Sequence, residues 1–166
     1  MKSIKLLMAT AIILFASIAN AQSNTNIKKV LDAYIQLKDA LVKSDGASSS
    51  SASQTLLTSI QEVNMNELNT ETHTQWMKVV NELKEAAEHI SETKEIAGQR
   101  DYFMSLSKNL YAVIKVSKSE TPIYYQFCPM ANSDKGAIWL SSNEKIMNPY
   151  FGAAMLSCGT IQKIVE

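Results

Sequence analysis

Apolar residues recur every three or four positions in four segments of the chain, a spacing typical of amphipathic α-helices. In the first segment these positions are Ile27, Val30, Leu31, Tyr34, Leu37 and Leu41. Thr25 can cap the start of this segment, and Ser44-Asp45-Gly46 supplies a stop. The pattern therefore predicts a first helix that buries one face.

The second segment allows two interpretations. Residues 47–53 consist of serine and alanine alone, a composition typical of a flexible linker. Apolar residues at helical spacing follow, namely Leu56, Leu57, Ile60 and Val63. Small residues also suit a helix turn that packs tightly against a neighbour, so we favour a helix from about Ala47 to Val63.

The third and fourth segments predict the longest helices. The third begins near Thr72 and has one apolar stripe, formed by Trp76, Val80, Leu83, Ala87 and Ile90. The fourth repeats apolar residues at intervals of seven, at Ile96, Phe103 and Leu110, with Leu106 and Val113 between them. Seven-residue spacing keeps one face against its partners. Because no proline occurs between residues 22 and 120, we expect an antiparallel bundle of about four helices.

The composition changes at Thr121-Pro122, and all three prolines lie beyond this point. Ile123–Phe127 and Ala137–Leu140 resemble short strands, with a hairpin turn at residues 133–136. The predicted fold is mainly α, with a small β-hairpin and loop appendage at the C-terminus. This appendage, residues 122–166, contains both cysteines.

Residues 1–21 have the three parts of a cleavable signal peptide: two lysines, an apolar stretch over 6–18, and small residues at Ala19 and Ala21. We therefore expect a periplasmic or secreted protein whose single helical domain spans 22–166. That domain would carry 14 basic and 16 acidic residues and no second long apolar stretch. We predict no nucleic-acid partner and no stable membrane insertion after signal cleavage.

Sulfur-bearing residues are the main candidates for chemistry. Cys128 lies near Met130, and Met155 lies near Cys158. Thiolates and thioethers are soft donors that select Cu(I) or similar ions. The alternative is a disulfide between the cysteines, which would stabilise the fold by roughly 3–4 kcal/mol in the chain-entropy model. From the residues alone, a disulfide or structural thiols are favoured over a metal site.

Other candidates are weaker. His73 and Met77 lie one helical turn apart and can both bind copper, although a half-buried histidine beside a gap-filling methionine is the favoured interpretation. His89 falls on the polar face and is expected to be solvated. Arg100 is either a surface charge or a link from the fourth helix to the C-terminal segment. No motif of a hydrolase, a nucleotide-binding protein or a metalloprotease is present, so we predict no enzyme and no catalytic or cofactor-binding residues.

Several short stretches resemble a family of exported bacterial proteins with a domain of unknown function. In the helices these are Val30–Tyr34, Leu37–Val42, Gln99-Arg100, Phe103 and Leu106-Ser107. In the appendage they are Phe127–Ala131, Gly136-Ala137, Trp139–Ser141, Asn148–Gly152 and Met155–Gly159. The same domain recurs at the C-terminal end of copper and silver efflux adaptor subunits.

This resemblance implies a role in handling copper, silver or a related ion, with an envelope efflux or metal-handling protein as partner. It makes Cys128, Met130, Met155 and Cys158 the favoured metal ligands, and it shifts the balance toward the metal hypothesis. Ala153-Ala154 stand where the family has an acidic residue, so a supporting carboxylate is not expected there. The competing hypothesis is a disulfide-stapled interaction domain that docks an envelope partner and binds no ion.

Overall fold

The computed structural model describes residues 25–119 and 121–165. The predicted signal peptide, residues 1–21, lies outside the described residues. Helix α1 covers 25–42, and it is followed by α2 (Gly46–Gln61), α3 (Thr70–Glu92) and α4 (Ile96–Ser117). Strands β1 (Ile123–Cys128), β2 (Ala137–Ser141) and β3 (Thr160–Val165) follow the helices. The predicted bundle of four long helices with a C-terminal β appendage is confirmed.

Side-chain caps explain where three of the helices begin. The side chain of Asp45 accepts the backbone N–H of Ser48 at 2.9 Å at the start of α2. Asn69 caps α3 in the same way, and Glu95 caps α4. Each cap satisfies a backbone N–H that has no partner within its own helix.

The serine-rich stretch is the first half of α2, so the linker interpretation is wrong. Ser49 and Ser53 are buried, and the Ser53 hydroxyl donates to the Ala87 carbonyl at 2.7 Å. Small side chains allow α2 to approach α3 closely enough for this contact. The local composition therefore reflects tight helix packing rather than flexibility.

The apolar stripes of the helices meet in a single core. Tyr34 of α1 stacks on Phe103 of α4, with ring centroids 5.1 Å apart. One predicted position is wrong, because α3 buries Val79 and leaves Val80 only half-buried.

Among residues 25–119 and 121–165, none of the helices combines the length and the apolar character that a membrane span needs.

The three strands form an antiparallel sheet in the order β2-β1-β3. The predicted hairpin of β1 and β2 is confirmed, with Cys128 opposite Ala137. Strand β3 was not predicted, because its side chains are mostly exposed and it joins the sheet through backbone hydrogen bonds to β1.

Two tyrosine hydroxyls attach the outer edge of β2 to the rest of the protein. The backbone N–H of Leu140 donates to the Tyr34 hydroxyl at 3.1 Å, and the Tyr34 hydroxyl also contacts Ser107 Oγ at 2.7 Å. The Tyr150 hydroxyl donates to the carbonyl of Ile138. These contacts hold the sheet against α1 and α4 and so fix the position of β1.

Candidate functional site

The structure brings the two cysteines together. Cys128 is the last residue of β1 and is fully buried, whereas Cys158 lies in the loop before β3 and is partly exposed. Their Sγ atoms are 2.7 Å apart, and both are free thiols. The prediction that these thiols meet at one place is therefore confirmed.

Strand geometry determines which face of the sheet carries Cys128. Because side chains alternate along a strand, Gln126 and Cys128 share a face, and Trp139 lies opposite Gln126 on the same face. The Gln126 side chain donates to the carbonyls of Asn143 and Glu144, both at 3.1 Å. The segment that follows β2 therefore returns over this face and brings Cys158 to Cys128.

A buried asparagine sets the course of the loop that carries Cys158. Asn148 Nδ2 donates to the Cys158 carbonyl at 2.8 Å, and Asn148 Oδ1 accepts the backbone N–H of Tyr150 at 2.8 Å. The backbone N–H of Asn148 donates to the Leu156 carbonyl, also at 2.8 Å. Asn148 therefore joins both ends of the loop. It was not singled out from the sequence as a functional residue.

Gly159 explains how the chain passes from Cys158 into β3. Its φ is +144°, and a Cβ there would lie 2.8 Å from the Trp139 ring and 3.0 Å from the Phe127 carbonyl oxygen. An L side chain would be strained by this backbone conformation and would collide with these neighbours. The glycine therefore allows Cys158 to sit directly against the sheet.

The Cys158 thiol favours its protonated form. The hydrogen bond with Cys128, together with partial burial and repulsion from a negatively charged Cys128, raises the pKa of the Cys158 thiol to about 11. A thiol in this state is a weak nucleophile near neutral pH, because only the thiolate reacts. A soft cation that binds here must displace protons from both sulfurs.

The methionines lie beside the cysteines in sequence and are both more exposed than Cys128. Met130 follows Cys128 and Pro129 and is 48% exposed. Met155 is half-buried at the end of a 3-10 helix (Gly152–Met155), and its carbonyl accepts the Cys158 N–H at 3.0 Å. No group of three or more His, Cys, Asp or Glu side chains that could hold a metal occurs in the described part of the chain.

The histidine candidates lie on α3, outside the bundle core. His73 is exposed, and Met77 one turn later is 52% exposed, so the interpretation of a half-buried histidine beside a gap-filling methionine is wrong on both counts. His89 stacks on Tyr102 with ring centroids 4.4 Å apart. Its Nδ1 is 3.6 Å from a carboxylate oxygen of Glu92.

Arg100 links the helices to the C-terminal segment, as one of its two interpretations predicted. Its Nε donates to the Pro149 carbonyl at 2.8 Å. Its Nη2 donates to the Leu41 carbonyl at 3.1 Å and to Ser44 Oγ at 2.9 Å. One guanidinium therefore joins α4, the end of α1 and the loop that carries Cys158.

Residues 30–121 match the family described as "Protein of unknown function (DUF3347)", and this range is more than half of the chain. The chain belongs to the DUF3347 family. The DUF3347 match covers α2, α3, α4 and most of α1, and it ends just before β1. The cysteine pair therefore lies beyond the matched residues. No curated protein and no solved structure matches the chain.

Proposed function

We propose that this DUF3347 protein is a periplasmic or secreted module that binds or delivers a soft metal ion, Cu(I) or one of similar chemistry. The observation that carries the proposal is the meeting of two thiols that are 30 residues apart in sequence. Thiolate sulfur prefers soft cations, and Met130 and Met155, which neighbour the cysteines in sequence, are the candidate thioether ligands. The resemblance to the domain on copper and silver efflux adaptors supports a role in heavy-metal efflux or homeostasis, with an envelope protein as partner.

The distance between the sulfurs sets a requirement for metal binding. Two thiolates that share one ion at about 2.3 Å each lie roughly 3.5–4 Å apart. The observed 2.7 Å is shorter, so the sulfurs must separate by about 1 Å to admit an ion. Cys128 belongs to a strand that is paired on both sides, whereas Cys158 lies in a loop. We therefore expect Cys158, which is also the more exposed of the two cysteines, to make this movement.

The same short distance favours a second candidate function, a domain stapled by a Cys128–Cys158 disulfide that docks an envelope partner. Sulfur atoms this close need only a small adjustment to reach the bond length of about 2.05 Å. Closing a loop of this length would stabilise the fold by roughly 3–4 kcal/mol. In this form neither sulfur is a thiolate, so the domain would bind no soft ion.

A metal titration separates the two functions. The protein is isolated from the periplasm of an expression host, its N-terminus is determined, and its free thiols are counted before and after reduction. The reduced protein is then titrated with Cu(I) in competition with a chromogenic Cu(I) chelator. The metal function predicts one ion per chain, lost in both Cys128→Ser and Cys158→Ser and weakened in Met130→Leu.

The matched control is Met77→Leu, which removes another half-exposed methionine far along the sequence and should leave Cu(I) affinity unchanged. A reduced protein with two titratable thiols that takes up no Cu(I) would rule out the metal function. In that case, the absence of free thiols before reduction would support the stapled domain.

A further inference from the structure

The two cysteines differ in their exposure to solvent. Cys128 is fully buried at the end of β1, and Cys158 is partly exposed in the loop before β3. Since their Sγ atoms are only 2.7 Å apart, a reagent that reaches Cys158 arrives within bonding reach of Cys128. A purely structural disulfide, which forms once and remains closed, would not require one buried and one partly exposed cysteine.

We propose that the pair is a thiol–disulfide exchange site with a fixed order, in which Cys158 attacks the incoming disulfide and Cys128 resolves the product. The substrate class is the disulfide of a small thiol, R–S–S–R, or an exposed disulfide of an oxidoreductase. This activity goes beyond metal binding and does not depend on it.

The first step forms a mixed disulfide. The Cys158 thiol loses its proton, and its sulfur attacks one sulfur of R–S–S–R and forms a Cys158–S–S–R bond. The original S–S bond breaks, and the leaving RS⁻ takes up a proton to become RSH. Cys128 cannot make this first attack, because its side chain is fully buried.

The second step closes the internal disulfide. The Cys128 thiol loses its proton and its sulfur attacks Cys158 Sγ, so a Cys128–Cys158 bond forms and the second RS⁻ leaves as RSH. The protein has then lost two electrons and two protons, and the incoming disulfide has become two thiols. The Cys158 carbonyl accepts a hydrogen bond from the Asn148 side chain, and the Cys158 N–H donates to the Met155 carbonyl. These hydrogen bonds keep the two sulfurs adjacent, so this intramolecular step is fast.

The first step requires an encounter between Cys158 and the disulfide reagent, whereas in the second step the two sulfurs are already adjacent. The second step is not limited by diffusion of a reagent. The mixed disulfide should therefore not accumulate in the wild-type protein.

The test uses oxidised glutathione as the disulfide and intact-mass spectrometry after acid quenching. Reduced wild-type protein, Cys128→Ser and Cys158→Ser are compared over time at one pH. We expect Cys128→Ser to accumulate one glutathione per chain and Cys158→Ser to react roughly tenfold more slowly, because its remaining sulfur is buried. Wild-type protein should lose two hydrogens without an accumulating adduct.

Circular dichroism and a parallel reaction in concentrated urea serve as controls for folding. In urea the two variants should react at similar rates, because burial no longer distinguishes the sulfurs. Equal rates in the folded variants, or a faster reaction at Cys128, would overturn the order. A stable glutathione adduct on wild-type Cys158 would overturn the resolving role of Cys128. A protein that exchanges in the proposed order but takes up no Cu(I) would refute only the metal function.

Discussion

Replacing Asn148 by alanine should uncouple the loop of Cys158 from the rest of the appendage. The Asn148 side chain is fully buried and makes three hydrogen bonds. It donates to the Cys158 carbonyl at 2.8 Å and accepts from the backbone N–H groups of Tyr150 at 2.8 Å and Phe151 at 3.3 Å. Alanine removes all three and leaves their partners in one buried residue, Tyr150, and two half-buried residues, Phe151 and Cys158.

The expected cost follows from those contacts. Each protein hydrogen bond contributes about 0.5–1.5 kcal/mol net, and a buried group left unpaired costs about 1–3 kcal/mol. Because the 3.3 Å contact is long and Cys158 is partly exposed, we expect the free energy of unfolding to fall by about 3 kcal/mol, which is the sum of the net contributions of the three hydrogen bonds. For a domain of this size, that loss corresponds to a decrease in Tm of roughly 10 °C.

Urea denaturation followed by circular dichroism, on reduced protein, measures this loss directly. The matched control is Asn143→Ala, which removes an exposed asparagine side chain from the same loop, where its oxygen accepts only the N–H of Lys145. The control should change the unfolding free energy by less than about 1 kcal/mol. If Asn148→Ala destabilised the protein no more than Asn143→Ala, the role assigned to the buried amide would be wrong.

Three further substitutions or titrations test the same region. Gly159→Ala should destabilise the protein by roughly 2 kcal/mol in urea denaturation, because residue 159 has a positive φ and the added Cβ would contact Trp139. The control Gly98→Ala, within α4, should be neutral or stabilising by up to about 1 kcal/mol. Arg100→Lys should lower the unfolding free energy by about 1–3 kcal/mol, since an ammonium group cannot reproduce bonds made from both Nε and Nη2; an unchanged midpoint would contradict this. The alkylation rate of reduced Cys158 with iodoacetamide should keep rising until about pH 11, because the folded state holds the thiol proton. Because the folded state binds this proton more tightly than the unfolded state, the proton stabilises the fold below the unfolded pKa, and this stabilisation is lost as the pH rises through about 11. An alkylation rate that levels off well below this pH would refute the raised pKa.

The helices were predictable from the sequence because each buries one regular stripe. Leu83 in α3 and Phe103 in α4 are fully buried, as their spacing indicated. The sequence did not determine which face of α3 is buried at this point, because Val79 and Val80 are both apolar and only the packing decides between them. Strand β3 was missed because it lacks a buried stripe, and its place depends on pairing with a strand distant in sequence.

The sulfur chemistry of the site was predictable from the sequence, but the buried polar residues that hold the surrounding segments in place were not. Cysteine and proline at residues 128–129 drew attention to the appendage, and the structure places Cys158 beside them. Asn148 and Gln99 lie in stretches that resemble the family, but their residue types did not indicate a structural role, because a polar residue becomes structural only when the fold buries it. Gln99 Nε2 bonds the carbonyls of Thr93 at 2.7 Å and Gly46 at 2.9 Å, and so joins the end of α3 to the start of α2.

The tyrosine contacts along β2 have a consequence for self-association. On an open border strand, the amide of Leu140 and the carbonyl of Ile138 would be a template for a strand from another molecule. Here phenol groups from Tyr34 and Tyr150 already occupy those positions. Edge-to-edge pairing between the sheets of two molecules is therefore blocked along β2. The protection comes from two aromatic residues rather than from a charge, a proline or a bulge.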